Sequence, residues 1–419
     1  MRSVKYLLAA GAASLLSSAA LAADLPPPPA YAPPPMEEFG GWYLRGDIGF
    51  SNQRVKNIAM ADGRNAALLS LQETTAFDTA GIFGIGIGYQ FNNWLRGDIT
   101  GQYRGNSNFK GTDLLTYPES YVQTPDRHPM ERLVDILEGR GLARGSIGVE
   151  MDNYYYSAKA DAVLRAGLGN ASFVDATGLV NWLRAVKSPQ ELDYMRIAGR
   201  IVSAAHRRAF EIVEPGIPKN RVVAELFHVL TTGVDGYSGD HSAFMPIVPS
   251  GADASAPHLT WDERPMKSGE GTYFEIGGCY KRYHCPQCRT IYLGKPTQAF
   301  LDAEKATLEG MEAGLSAARP GKTCGDIADA YFAILKKHGI SKTSRAGYGT
   351  GLSYPPDWGE RTLSIRPGDR TELKSGMTIH FMTGLWLADM GFELTETIAI
   401  TDTGYELLAN TPQRLMVKE

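Results

Sequence analysis

The chain is 419 residues long with a formal net charge of −4, and 21% of its residues are charged. That length supports two or three domains and a sizeable core, and no basic run or basic patch with interleaved aromatics points to a nucleic-acid partner. The four cysteines, with Cys279, Cys285 and Cys288 clustered and Cys324 apart, form no disulfide framework and suit a reducing compartment.

The N-terminus argues the other way. Met1-Arg2-Ser3-Val4-Lys5 is a short basic start, an apolar Ala/Leu-rich run follows, and Ala20-Leu21-Ala22 fits a small-x-small cleavage pattern. Residues 1–22 therefore read as a signal peptide, too short to span a membrane. Residues 23–41 read as a proline-rich linker, extended through LPPPPAYAPPP.

Over residues 42–112 the period becomes two. Trp42, Leu44, Ile48 and Phe50 alternate with polar or small residues, as do Phe83, Ile85, Ile87, Tyr89 and Phe91, and then Leu95, Ile99 and Tyr103 after an Asn92-Asn93 turn. LRGDI at 44–48 recurs at 95–99. The pattern predicts strands of the membrane-barrel kind, and hence membrane association of this segment. It resembles the start of outer-membrane β-barrel surface proteins. Three or four strands do not close a barrel whose smallest forms have about eight. An incomplete barrel is expected, with a soluble hairpin decoration as the alternative.

Beyond about Thr112 helical periods appear. ERLVDILE at 131–138 predicts a helix, SIGVEM at 146–151 a buried strand, and Ser188-Pro189 the start of a long helix. The C-terminal part then repeats. EPGIPKNRVVAELFHVL (214–230) matches RPGKTCGDIADAYFAIL (319–335), and MKSGEGTYFEIGG (266–278) matches LKSGMTIHFMTGL (373–385). A period a little over a hundred residues means a duplicated domain, with a cleft between facing halves.

LRAVKSPQELDYMRIA, the duplicated unit, APHLTWDERPMKSGEGTYFEIG and RTIYLG resemble the pita-bread enzymes, which include creatinase and the methionine and Xaa-Pro aminopeptidases. The resemblance implies an α+β fold: a pita-bread (creatinase/aminopeptidase-like) duplicated domain over 186–419. A truncated α/β N-terminal domain over 113–185 and the β-hairpin-rich segment would precede it. It also implies a homodimer. The peptidase members hold two metal ions with two Asp, one His and two Glu. Those positions fall here on Glu275, Pro286, Tyr348, Met382 and Thr395. Only Glu275 keeps a good ligand type, so the resemblance is to the metal-free branch, with no metal and no cofactor expected. The stretch GGCYKRYHCPQCRTIYLG leaves one alternative open. His284, Cys285 and Cys288 could bind zinc if Cys279 and His380 converged on them. Otherwise the cysteines are packing residues on a strand and His284 reaches the cleft.

KRYHCPQCRTIYLG, GYGTGLSYPPDWGERTLSIRPGD and HFMTGLWLADMGFELTETIAIT resemble more narrowly the ectoine-hydrolase branch of this family. That branch opens a cyclic amidine to an N-acetylated diaminobutyric acid, so a small ectoine-like zwitterion is the expected substrate. His258 matches the general base of creatinase. Glu275 and one of Glu393 or Glu396 would pair with the delocalised cation and serve the acid–base chemistry. Arg361 or Arg289 would fork the substrate carboxylate. Tyr348, Tyr354, Trp358 and Trp386 would wall in the cationic ring. His284, Cys285 and Glu360 complete the expected binding set. The hydrolase would be impaired by an N-terminal truncation and gene fusion, and a creatinase-like or Xaa-Pro peptidase-like metallohydrolase, or an inactive relic or binding protein with the same cleft, are the competing readings. Export and cytoplasmic catabolism remain opposed as locations.

Overall fold

The computed structural model describes residues 41–51, 80–92 and 95–104 by backbone, and residue 115 and residues 117–419 in full. The expected signal peptide and most of the linker lie outside the described residues. Two compact units divide the chain, one of residues up to 147 with 157–174, the other of residues 148–156 with 175–419. Among the described residues no helix is long and apolar enough to cross a membrane.

In the first unit, strands β1 (Gly41–Ser51), β2 (Ala80–Asn92) and β3 (Leu95–Arg104) form an antiparallel meander in the order β1-β2-β3. The register sets Leu44 opposite Ile87 and Ile87 opposite Ile99. These are the strands the alternation predicts. Whether further strands join them lies outside the described residues. Helix α1 (Pro129–Gly139) starts at a capping box: His128 Nδ1 accepts the Met130 N–H and Glu131 accepts the His128 N–H. It packs on α2 (Ala158–Gly167), where Gly167 leaves room for Val134. Strands β4 (Gly145–Val149) and β5 (Ala171–Asp175) pair beside them.

The second unit carries the duplication. After the short helix α3 (Leu179–Leu183) comes α4 (Pro189–Ile212), opened by a capping box between Ser188 and Glu191 with Pro189 in the first turn. Its Met195, Ile201, Val202, Ala205 and Ala209 are fully buried, an apolar stripe at helical spacing. Helix α5 (Lys219–Thr232) lies beside it. Both pack on the hairpin of β6 (Gly271–Tyr280) and β7 (Tyr283–Leu293), whose two turn residues, Lys281 and Arg282, both have positive φ. In the second half α6 (Gln298–Ala317) and α7 (Cys324–Lys337) cover a sheet ordered β14-β13-β10-β8-β9. Its strands are β8 (Gly347–Thr350), β9 (Gly359–Ser364), β10 (Thr378–Met382), β13 (Thr395–Ile400) and β14 (Tyr405–Leu407). A short ribbon of β11 (Leu385–Trp386) and β12 (Gly391–Phe392) leaves that sheet, and β15 (Met416–Lys418) runs parallel to β7.

The repeat read from the sequence is written in the backbone. Gly216 and Gly321 adopt φ of 90° and 81° in corresponding turns, and Gly269 and Gly376 adopt 84° and 88°. Only glycine takes this region without strain. The aligned Val222 and Ile327 are both buried. The halves join along β7 and β13, where the Cys288 N–H donates to Thr395 Oγ1 at 2.7 Å and Thr290 Oγ1 donates to the Glu393 carbonyl at 2.8 Å.

Along β6 the pleat sorts its residues. Phe274 and Ile276 enter the core under α4, while Tyr273, Glu275 and Gly277 face the opposite way. Gly278 sits where α4 crosses the strand, and a Cβ there would lie 2.1 Å from the Ala198 carbonyl oxygen. Gly278→Ala is therefore expected to cost about 2 kcal/mol or more through overpacking, read as a lower midpoint of thermal unfolding; an unchanged midpoint would show that α4 yields freely.

Candidate active site

The central feature is a pair of carboxylates on the face of β6 and β7 turned toward the second half. Glu275 is on β6, and Glu393 lies between β12 and β13. Both are buried. Burial raises the Glu275 carboxyl well above the usual range, and the charges of Glu393 and then Asp357 raise it further. Burial also raises Glu393, to about 8, against the opposing pull of the Lys342 ammonium and the Cys288 thiol. Neither Glu393 oxygen has a hydrogen-bond partner of ordinary geometry among the described residues. The thiol still acts on it as a weak donor. An unpaired buried carboxylate is costly, so near neutral pH the pair holds at least one proton.

Aromatic groups enclose the pair. Tyr273 donates its hydroxyl to the Ala256 carbonyl at 2.8 Å and accepts from Trp386 Nε1 at 3.3 Å. Trp386 in turn carries Lys342 Nζ 4.2 Å from its ring centroid. Trp358 packs over Gly277, where a Cβ would meet its ring at 2.9 Å. Its Nε1 donates to the Tyr348 hydroxyl at 2.8 Å. That hydroxyl lies 3.1 Å from His380 Nδ1, and His380 Nε2 lies 2.8 Å from Thr395 Oγ1. Burial, and then Arg345, push His380 down to about 3, so its imidazole is neutral and links Tyr348 to Thr395. Phe244 stacks on Trp358 at 5.3 Å, and His258 meets Phe244 at 6.4 Å.

The structure thus brings together Glu275, Glu393, Tyr348, Trp358 and Trp386. His258, expected as the cleft histidine and general base, is exposed beside Phe244 at the site's rim. Tyr354, Glu360 and Arg361 line a neighbouring cavity of about 280 Å³ with Asp357, Arg184 and the segment around Tyr154 and Tyr155. There Arg361, with a φ of 54°, already pairs with Asp152 and lies 5.2 Å from the Tyr154 ring. Glu360 is tied to buried Lys187 at 2.7 Å.

Four expected site residues are committed elsewhere. Arg289 is fully buried, and its donors go to the carbonyls of Cys288, Thr395, Thr411 and Pro412 and to Glu396. Glu396 also accepts from Gln287 at 2.8 Å and Gln413 at 3.1 Å. This pair clamps the β7–β13 junction and leaves no fork for a ligand. His284 accepts the Ala243 N–H at 2.8 Å, faces the Gly351 carbonyl at 3.4 Å, and is lowered to about 4 by burial, then by Arg282. It is a neutral packing group. Cys285 lies in the core under α4 and burial raises its thiol to about 12.

The family's metal centre can be tested against these donors. Besides Glu275, its positions hold Pro286, Tyr348, Met382 and Thr395, and Tyr348 and Thr395 are bonded to each other through His380. Three residues apart on one strand, Cys285 and Cys288 project from opposite faces, the first into the α4 core and the second beside Tyr273. The zinc alternative therefore fails on geometry. Among the described residues no group of three or more His, Cys, Asp or Glu is placed to hold a metal ion. The residues present do not fit the two-metal centre.

Sequence reading missed Tyr273, Lys342 and Asp357. Tyr273 was legible as the residue two before Glu275 on the same strand face. Lys342 comes from a loop and carried no local signal.

The model of metallopeptidase family M24 matches residues 193–402. This chain belongs to that family. Among M24-related proteins it is 46% identical over 396 residues to the ectoine hydrolase of Halomonas elongata, an alignment covering 91% of this chain and 98% of that protein. It is 39% identical over 313 residues to an uncharacterized hydrolase/peptidase of Sinorhizobium fredii, covering 75% and 80%. The X-Pro aminopeptidase of Thermotoga maritima aligns with a TM-score of 0.63 at 19% identity, over 80% of this chain and 88% of that one. This likeness carries the fold alone, and the fold is the pita-bread fold expected. The near-complete span of the Halomonas alignment leaves the expected loss of the front of the N-terminal domain, and the gene-fusion reading, without support.

Arg289→Ala would leave Glu396 buried and uncompensated. It should cost about 3–5 kcal/mol, seen as loss of soluble protein or a sharply lowered unfolding midpoint; a stable variant impaired only in substrate affinity would contradict the structural role.

Proposed function

We propose that this chain is a hydrolase that opens the cyclic amidine of ectoine to N-acetyl-diaminobutyrate without a bound metal. The observation that carries the reading is the buried Glu275–Glu393 pair inside an aromatic enclosure. It is supported by 46% identity to an ectoine hydrolase across 98% of that protein.

The chemistry suits such a pair. An amidinium carbon between two nitrogens is already electrophilic. What it requires is a base for water and an acid for the departing nitrogen. The surroundings separate the two roles. Glu275 faces two carboxylates, Glu393 and Asp357, and keeps its proton more firmly. Glu393 faces an ammonium and a thiol and ionises first. Glu393 takes a proton from water as its oxygen adds to the amidinium carbon. Glu275 gives its proton to the ring nitrogen as that carbon–nitrogen bond breaks, and its carboxylate takes back the hydroxyl proton as the carbonyl forms. The products are an amide on one nitrogen and a free amine on the other. Trp358, Trp386 and Tyr348 offer aromatic surface to the cationic ring. Before reaction its positive charge also offsets the cost of an ionised carboxylate in this site. His258, at the rim beyond Phe244, is placed to exchange protons with solvent.

The active form has Glu393 ionised and Glu275 protonated, so the rate should rise with pH through about 8. Glu393→Gln should lower kcat about 10²- to 10⁴-fold and abolish that limb, while turnover of ectoine, followed by proton NMR of the acetylated product, should survive exhaustive chelation. Loss of activity on chelation, restored by a divalent metal, would favour a metallohydrolase. Absence of turnover by folded wild-type protein would favour a binding protein.

A further inference from the structure

The proposed substrate is a zwitterion, and its carboxylate needs a cation inside the site. Both arginines that the sequence offered for this are engaged. Arg289 spends its donors on the β7–β13 junction, and Arg361 is bound to Asp152 through the Asp152 carbonyl and carboxylate. A third guanidinium stands against the aromatic enclosure, on the ring of Tyr348. Arg345 lies in the loop between α7 and β8, partly buried, with its guanidinium carbon 4.5 Å from the Tyr348 ring centroid. Tyr348 is the residue whose hydroxyl meets Trp358 and His380, and the charge of Glu275 reaches it. The same guanidinium reaches buried His380 electrostatically.

Arg345 forms no hydrogen bond and no ion pair with any described residue, and its face is spent on Tyr348. A guanidinium held over an aromatic ring loses little further freedom when it binds, and it keeps a planar fork that matches a carboxylate. The other cation from this loop, Lys342, donates to the Gly384 carbonyl and Ser344 Oγ, both at 2.8 Å. It sits on Trp386 beside Glu393, where a second carboxylate would crowd the first. A zwitterion with its amidinium against Glu275 and Glu393 therefore points its carboxylate away from Lys342's neighbour and toward Tyr348.

We infer that Arg345 is the specificity-determining residue that receives the substrate carboxylate, holding it as a bidentate partner on the Tyr348 side of the site. The inference rests on the amidine-hydrolase reading. It adds that the enzyme selects amidines bearing a carboxylate over neutral amidines of the same shape.

The test compares ectoine with its carboxamide analogue in wild type, Arg345→Gln, Arg345→Lys and Lys342→Met, each first shown to be folded by circular dichroism and thermal unfolding. Arg345→Gln is expected to raise KM for ectoine about 10- to 100-fold, the loss of a charge-assisted bidentate contact, with kcat changed far less. It should leave KM for the carboxamide unchanged, so the preference for acid over amide collapses. Arg345→Lys, which keeps the charge but not the fork, should restore part of the preference. An unchanged preference in Arg345→Gln, or a collapse seen instead in Lys342→Met, would overturn the inference. Failure of wild-type protein to act on ectoine at all would sink the functional reading itself, and is told apart by the wild-type assay alone. Should Arg345→Gln not fold, the acid-to-amide preference of Arg345→Lys decides: equal to wild type, it contradicts the fork.

Discussion

Two carboxyl groups removed from water without a full countercharge form the constraint on which the site is built. Burying a carboxylate is tolerable when it is paired, hydrogen-bonded or protonated. Glu396 meets the first two conditions, through Arg289, Gln287 and Gln413. Glu275 and Glu393 meet the third. The contrast lies across the joined halves: the β7–β13 seam holds a saturated ion pair, and beside it lie two desolvated carboxyls without such partners. The saturated pair locks the two halves together. That rigidity keeps Glu393 from swinging toward a donor that would relieve it and remove its chemistry.

The side chains at the former ligand positions support this division. Tyr348 and Thr395 are joined through a neutral His380. The network satisfies polar groups that a bare cleft would leave unpaired, and it does so without adding charge. Pro286 and Met382 contribute bulk. The M24 fold here encloses two acids in an aromatic box. This is consistent with a cationic substrate whose own charge compensates the carboxylate that must ionise.

Much of the fold was legible because its signals are local or repeated. Ser188-Pro189 announced α4, and the two Pro-Gly turns and two Lys-Ser-Gly turns announced the duplication before any strand pairing was known. The alternation over residues 42–103 gave the three strands of the first unit. The site was legible only in part. Glu275 and the tryptophans were found through the family pattern. The same pattern misassigned Arg289 and Glu396, because their partners at Thr411, Pro412 and Gln413 are joined to them only by folding. Cys285 and Cys288 looked like a metal pair until the strand's pleat put them on opposite faces. Arg345 and Lys342 lie in a loop with no periodicity, so only the coordinates place them beside aromatic rings.

The central claim is that the acid pair holds a proton near neutral pH because it is desolvated. The most direct measurement is an infrared difference spectrum of wild type against Glu275→Gln, recorded at pH 7 and again well above pH 9. A protonated carboxyl stretch in wild type at pH 7 that loses its Glu275 component, and so weakens, in the variant is the predicted result. Two fully ionised carboxylates at pH 7 would contradict the account, since the pair would then need more countercharge than Lys342 supplies.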